Sequence, residues 1–240
     1  MGRLVIGLLI GLVLGGALTF YLFVGVPQAV IAPGTPIQAP DPNGVAPGAA
    51  QIVLRRQFFN EVLGTIFKEM NAPAFPLGSE AAECDGRITV LEQGSGVQTA
   101  VSFDNDRITA PLAFTGSYAS PFGCLRFTGW AQSNFSMRFD APNQAVFGQL
   151  NVETVNLDGV NPVVGALLTP IVQSTLNTRV NPIRILDGRQ IAVDLPVAAA
   201  NGNLQAAVTD VRAEVKDDAL NLYVIYDFAG APLSAASPTP

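Results

Sequence analysis

Residues 4–26 carry no charged side chain, and no other feature limits the chain's options as severely. As a helix, about 23 residues rising 1.5 Å each span roughly 34 Å, enough to cross the hydrocarbon core of a bilayer. Arg3 precedes the run, and the next basic residue is Arg55. The positive-inside bias therefore predicts a cytoplasmic N-terminus and an extracytoplasmic (periplasmic or equivalent) remainder, a single-pass topology. A cleaved signal peptide is the competing reading. Its apolar core ordinarily runs about 7–15 residues, shorter than this one, and Pro33 follows the best small-residue site at Ala32. Gly7, Gly11 and Gly15 repeat at four-residue intervals on one helix face. That spacing permits close helix packing, as in a homodimer, though glycine is also common in membrane helices for no such reason.

The rest of the chain divides by composition. Residues 27–50 hold Pro27, Pro33, Pro36, Pro40, Pro42 and Pro47, with a single charge at Asp41. They read as a Pro/Ala/Gly-rich linker reaching at most about 75 Å, or about 27 Å as a random coil. Residues 229–240 read as a disordered tail. Between them, 51–228 is the length of one ordinary domain.

Composition narrows the function classes. Net charge is −6, which argues against nucleic acid, because no basic patch is on offer to neutralise phosphates. Histidine is absent, which removes the commonest general base and zinc ligand. Cys84 and Cys124 alone cannot complete a four-ligand metal site. In an oxidising compartment they are expected to pair, closing a long loop at a gain of roughly 4 kcal/mol. The carboxylate pairs Asp104/Asp106, Asp217/Asp218 and Glu80/Glu83 fall in turn-like sequence, where Asp bonds to nearby backbone. Gly94-Ser95-Gly96 lacks a nucleophile elbow's flanks. Lys68 and Lys216, the only lysines, have no catalytic context. No catalytic residue, cofactor or metal site is expected.

Periodicity gives the architecture. Phe58, Phe59, Val62, Leu63, Ile66, Phe67 and Met70 recur at three- and four-residue steps, predicting an amphipathic helix that ends near Asn71 and Pro73. From residue 87 the period falls to two, with strands expected over 87–93, 97–103, 107–118, 124–130, 134–139 and 145–157 as an antiparallel meander. Helical spacing returns from Val160 to Leu176. Asn161-Pro162 supplies a cap and a first-turn proline, and Pro170 is expected to bend the helix. Almost uncharged before Arg179, this helix is expected to be buried on most of its surface. Closing strands are expected over 183–186, 190–198, 204–216 and 220–228. The alternation slips near Thr209-Asp210, which predicts a bulge. Trp130, with Phe122 and Phe127, reads either as an aromatic docking patch or as one packed face of the sheet.

In element order, and in the stretches QIVLRRQFFNEVLGTIF (51–67), VFGQLNVETVNLDGVNPVVGALLTPIVQSTLN (146–177) and LNLYVIYDF (220–228), the chain resembles the TULIP-like (tubular lipid-binding) superfamily, most of all the YceB-type bacterial envelope proteins. The resemblance implies an α+β fold in which a curved antiparallel β-sheet wraps a long helix and leaves a lipid groove. Phe58, Phe59, Val62, Leu63, Ile66, Leu167, Leu168 and Ile171 are the candidate groove residues; the same residues would equally serve as plain core. Two functions stand from the sequence. One is a membrane-tethered binder of a membrane lipid or other hydrophobic ligand, in which each buried CH₂ contributes about 0.8 kcal/mol. The other is a non-catalytic structural or assembly subunit of a membrane protein complex.

Overall fold

The computed structural model describes residues 30–44, 46–78, 84–104, 107–120, 123–187, 193–197, 199 and 202–232. The expected membrane segment with Gly7, Gly11 and Gly15, the pair Glu80/Glu83, Asp106, Phe122 and the last eight residues lie outside these. No helix among the described residues is long and apolar enough to cross a membrane.

In chain order the elements are β1 (Thr35–Pro36), β2 (Ala49–Arg55), α1 (Arg56–Glu69), β3 (Ala74–Pro76), β4 (Arg87–Leu91), β5 (Gln93–Gly94), β6 (Val97–Gln98) and β7 (Ser102–Asp104). There follow β8 (Arg107–Ser120), β9 (Gly123–Asp140), β10 (Ala145–Asp158), α2 (Pro162–Arg179), β11 (Ile183–Asp187), β12 (Val193–Val197), β13 (Gly202–Lys216) and β14 (Ala219–Pro232). The described residues form a mostly β fold: a strongly curled antiparallel sheet, in effect a half-barrel, with two helices. The large sheet runs β11-β10-β9-β8-β4-β3, joined by β1 on β9 and β7 on β8; a second sheet runs β12-β13-β14-β2.

β9 organises both. Its 18 residues extend about 60 Å, where the sequence suggested two strands with a break between them. Phe127, Ala131, Phe135, Met137 and Phe139 lie on one face, by the strict alternation of a strand. The first two belong to the core beneath α2, and the last three to the cores shared with the second sheet. Trp130 is an odd number of residues from Phe127 and lies on the opposite face, so the two do not form one patch. The curl brings backbone close to rings on the concave face. A Cβ on Gly116 would stand 2.6 Å from the Phe127 ring, and one on Gly129 would stand 3.0 Å from Phe114. Glycine at these two positions lets the strands coil inward while the facing ring covers them.

α2 begins as its sequence dictates. The Asn161 side chain accepts from the Val164 N–H (2.9 Å), Pro162 occupies the first turn, and the helix is one element through Pro170. It is not buried on most of its surface. Leu168, Val172 and Leu176 are buried, while Val163 and Leu167 are exposed. The absence of charge misled because the helix's polar work is done by amides. β11 pairs with β10 only as far as Gly148, leaving the next β10 edge groups open. There the Asn181 side chain accepts from Leu150 N–H (2.7 Å) and donates to Leu150 C=O (2.7 Å). Asn177 accepts from Val152 N–H (2.8 Å), and Gln173 donates to Val152 C=O (2.8 Å). Gln173, Asn177 and Asn181, spaced four apart, thus stand in for a strand.

The stretch read as a linker joins the domain from Val30 onward. Ala32 is 1% exposed, and its N–H donates to the Gln149 side chain (3.3 Å). Ile37 N–H donates to Met137 C=O (3.0 Å) in the large sheet, while Gln38 C=O accepts from Ala213 N–H (2.9 Å) in the second. The segment therefore crosses from one sheet to the other. Proline is compatible with this path because β1 is a two-residue strand that takes up the part of the β9 edge beyond β8.

Cys84 and Cys124 are disulfide-bonded, with Cα atoms 5.4 Å apart and a sequence separation of 40. The slip near Thr209 is a bulge between Val208 and Asp210. Asp217 and Asp218 both have positive φ (54° and 56°) in the two-residue β13–β14 turn, the geometry of a type I′ hairpin.

Replacing Asn181 with Ala leaves the Leu150 N–H and C=O buried without partners. A loss of about 2–3 kcal/mol in urea unfolding is expected, against little change for Asn151→Ala on the exposed face. Converting both cysteines to Ser is expected to cost about 2–4 kcal/mol by the same measurement.

Candidate functional site

The two sheets meet along the concave face of β9 but do not close on each other along its whole length. Where β1 leaves β9 for β13, a groove of about 630 Å³ opens. Asn134–Met137 of β9 and the first residues of β8, Arg107 and Ile108, form one wall. Ala213–Lys216 of β13 and Leu220 of β14 form the other, and Pro36, Ile37 and Ala39 of the crossing segment line it as well. Its volume falls in the range of small-molecule sites.

Ile108, Phe135, Met137 and Leu220 also line a second, more enclosed space of about 100 Å³. Its other walls include Leu54, Phe59, Val101 and Leu222, and its lining is entirely apolar. α1 bounds it through Phe59, which stacks edge-on against Phe103 (centroids 5.8 Å apart). α1 is fixed there at two places. Asn60 accepts from Val101 N–H (3.0 Å), and Arg56 forms an ion pair with Asp218 (3.1 Å).

Of the residues singled out from sequence, Phe59 alone reaches this cavity. Phe58 and Val62 are exposed on the outer side of α1, Phe58 to 52%. Leu63 and Ile66 are half-buried. Leu168 and Ile171 belong to the separate core beneath α2, and Leu167 is 58% exposed. The two helices therefore contribute to different cores and do not share a groove. Beneath α2, Phe114, Phe127, Leu168, Val172 and Leu176 are each no more than 3% exposed. The cavity walls that sequence reasoning missed, Ile108, Phe135, Met137 and Leu220, sit in strands with the expected alternation. That alternation marks them as inward-facing, but not as facing a gap.

The polar groups at the groove are Arg107, Asn134, Ser136, Glu214 and Lys216. Glu214 is engaged: its carboxylate accepts from the Tyr223 hydroxyl at 2.7 Å. That hydrogen bond, followed by burial and by the carboxylate's charge, holds the Tyr223 phenol above the ordinary tyrosine value. Among the described residues, no three potential metal ligands cluster.

Comparison of the chain with protein-family models and with curated proteins returns no match.

The Tyr223 shift has a definite sign. The folded state prefers the neutral phenol, so its contribution to stability is complete below pH 10.0 and is lost as pH rises through the raised folded value. Phenolate absorbance, taken as the difference between the parent and Tyr223→Phe, is expected to show a midpoint above 10.0. In Glu214→Gln that midpoint is expected to fall back toward 10.0.

Proposed function

We propose that this protein is a membrane-anchored, extracytoplasmic binder of a lipid or other hydrophobe. The observation that carries the reading is the unfilled space between the sheets, an open groove of about 630 Å³ and, bordered by four of the same residues, a wholly apolar cavity of about 100 Å³. Apolar concavity is all that an acyl chain requires, since burial of its CH₂ groups supplies the driving force. The Cys84–Cys124 disulfide supports an oxidising compartment. The uncharged run over 4–26 supports an anchor with the domain on the far side of the membrane. The curled sheet and its packed helix are compatible with a TULIP-like fold. The binding space would then lie between two sheets beneath α1, rather than between the sheet and the long helix. We read the protein as a binder rather than an enzyme, with Arg107, Glu214 and Lys216 as the charged groups at the groove and no histidine in the chain.

A second reading, an assembly subunit of a membrane complex, draws on a different surface. Register aligns Leu195 with Leu204, and Ala206 with Phe228. One face of the β12–β13–β14 arm thus carries Leu195, Val197, Leu204 and Phe228, and Leu195 and Phe228 are each 52% exposed. An apolar sheet face of this kind suits a protein partner.

Native mass spectrometry of the full chain, purified in mild detergent, separates the two readings. A bound species of lipid mass is expected for the binder, and a stoichiometric protein partner without lipid for the subunit. Ala213→Phe, which fills the groove from β13, is expected to weaken binding of a fluorescent fatty acid about tenfold, equivalent to ~1.4 kcal/mol. Parent protein that carries no lipid and binds no fatty acid would count against the proposal.

A further inference from the structure

The groove is not uniformly apolar, and its charges are arranged by the fold. Arg107 opens β8 on the large sheet, and Lys216 closes β13 on the second sheet. Both line the groove, so each wall contributes one cation. The basic groups Arg56, Arg184 and Arg212 are committed to ion pairs, and Arg138 donates to the Gly34 carbonyl. Arg107 and Lys216 have no side-chain hydrogen bond or ion pair among the described residues. Asp104 stands opposite Arg107 in the β7–β8 ladder, but it makes no ion pair with it and does not line the groove. Among the described residues that line the groove, Glu214 is the one carboxylate, and it is already the acceptor for Tyr223. In a chain of net charge −6, the described residues of the groove thus set two cations against one occupied anion.

The residues beside these cations border both spaces. Ile108 follows Arg107 in β8, and Leu220 pairs with Val215, next to Lys216. Both Ile108 and Leu220 also line the apolar cavity. We propose that the site takes a single-chain amphiphile with an anionic head. The negatively charged oxygens lie between Arg107 and Lys216, and the chain runs past Ile108 and Leu220 toward Phe59 and Leu54. At ~100 Å³ the cavity has room for about three water-sized groups, so it takes the tip of the chain. The remainder lies in the open groove. The proposal rests on the hydrophobe-binding reading and adds the class of ligand and the residues that select it.

Photolabelling of the full chain in detergent tests it, with diazirine-bearing palmitate and hexadecanol as matched probes that differ only in the head. Peptides carrying Phe135 and Leu220 are expected to label preferentially with palmitate, by about fivefold for two partly exposed ion pairs. The preference is expected to shrink with added salt. Arg107→Gln with Lys216→Gln is expected to abolish the preference while leaving hexadecanol labelling unchanged, which also reports that the fold is intact. Equal labelling by the two probes in the parent, or a preference that survives the double substitution, overturns the head-group assignment alone. Absence of groove labelling by both probes overturns the binding reading as well.

Discussion

Among the described residues, no strand neighbours the edge of β10 beyond Gly148, and the rest of the architecture depends on how that edge is satisfied. Its N–H and C=O groups lie in a buried setting, where an unpaired group costs about 1–3 kcal/mol. Gln173, Asn177 and Asn181 meet Leu150 and Val152 with the donors and acceptors a strand would offer. Because Gln173 and Asn177 occupy one stripe of α2 and Asn181 follows just past its end, the adjacent stripe of Leu168, Val172 and Leu176 is set against the concave face of the sheet. One helix thereby closes the sheet's edge and fills its hollow, and the large sheet can end at a two-sided curl rather than continue with another strand.

With α2 over one end of that concave face, the other end needs a different cover, which the second sheet supplies. Phe135, Met137 and Phe139 are inward-facing residues of the same strand that carries Phe127 and Ala131. A continuous apolar face under two separate covers necessarily has a seam. Here the 36–39 segment spans the seam, its backbone bonded to Met137 on one side and to Ala213 on the other. The groove lies beside that crossing, and α1 seals the interior through Phe59. The functional proposal and the fold therefore have the same origin: the space exists because β9 is longer than either cover.

Much of the local structure was legible. The helix over 56–69 follows from the spacing of Phe58, Phe59, Val62, Leu63 and Ile66, and α2 from Asn161-Pro162 and its apolar repeat. The bulge after Val208 follows from the phase slip, and the Cys84–Cys124 pair from there being two cysteines in a chain expected to face outward. The site was much less legible. Helical spacing identified Phe59, but could not distinguish it from Phe58, one position away, which faces solvent. The amide stripe of α2 was overlooked because Gln and Asn register only as uncharged residues until a strand edge is placed beside them. The proline-rich stretch over 30–50 lacks periodicity, and nothing in its composition distinguishes a strap bonded to two sheets from a free spacer.

Sequence alone settled the helical periods, the Asn161 cap and the bulge near Thr209, since these depend on neighbours within a few residues. It also settled the absence of histidine and the acidic balance. Tertiary structure alone decided which inward-facing residues meet a partner and which line a void, because that depends on how two sheets approach each other over distances no local pattern encodes. It likewise brought Arg107 and Lys216, more than a hundred residues apart, to opposite walls of one groove. Their charges are written in the chain, but their proximity comes from the packing of one sheet on another.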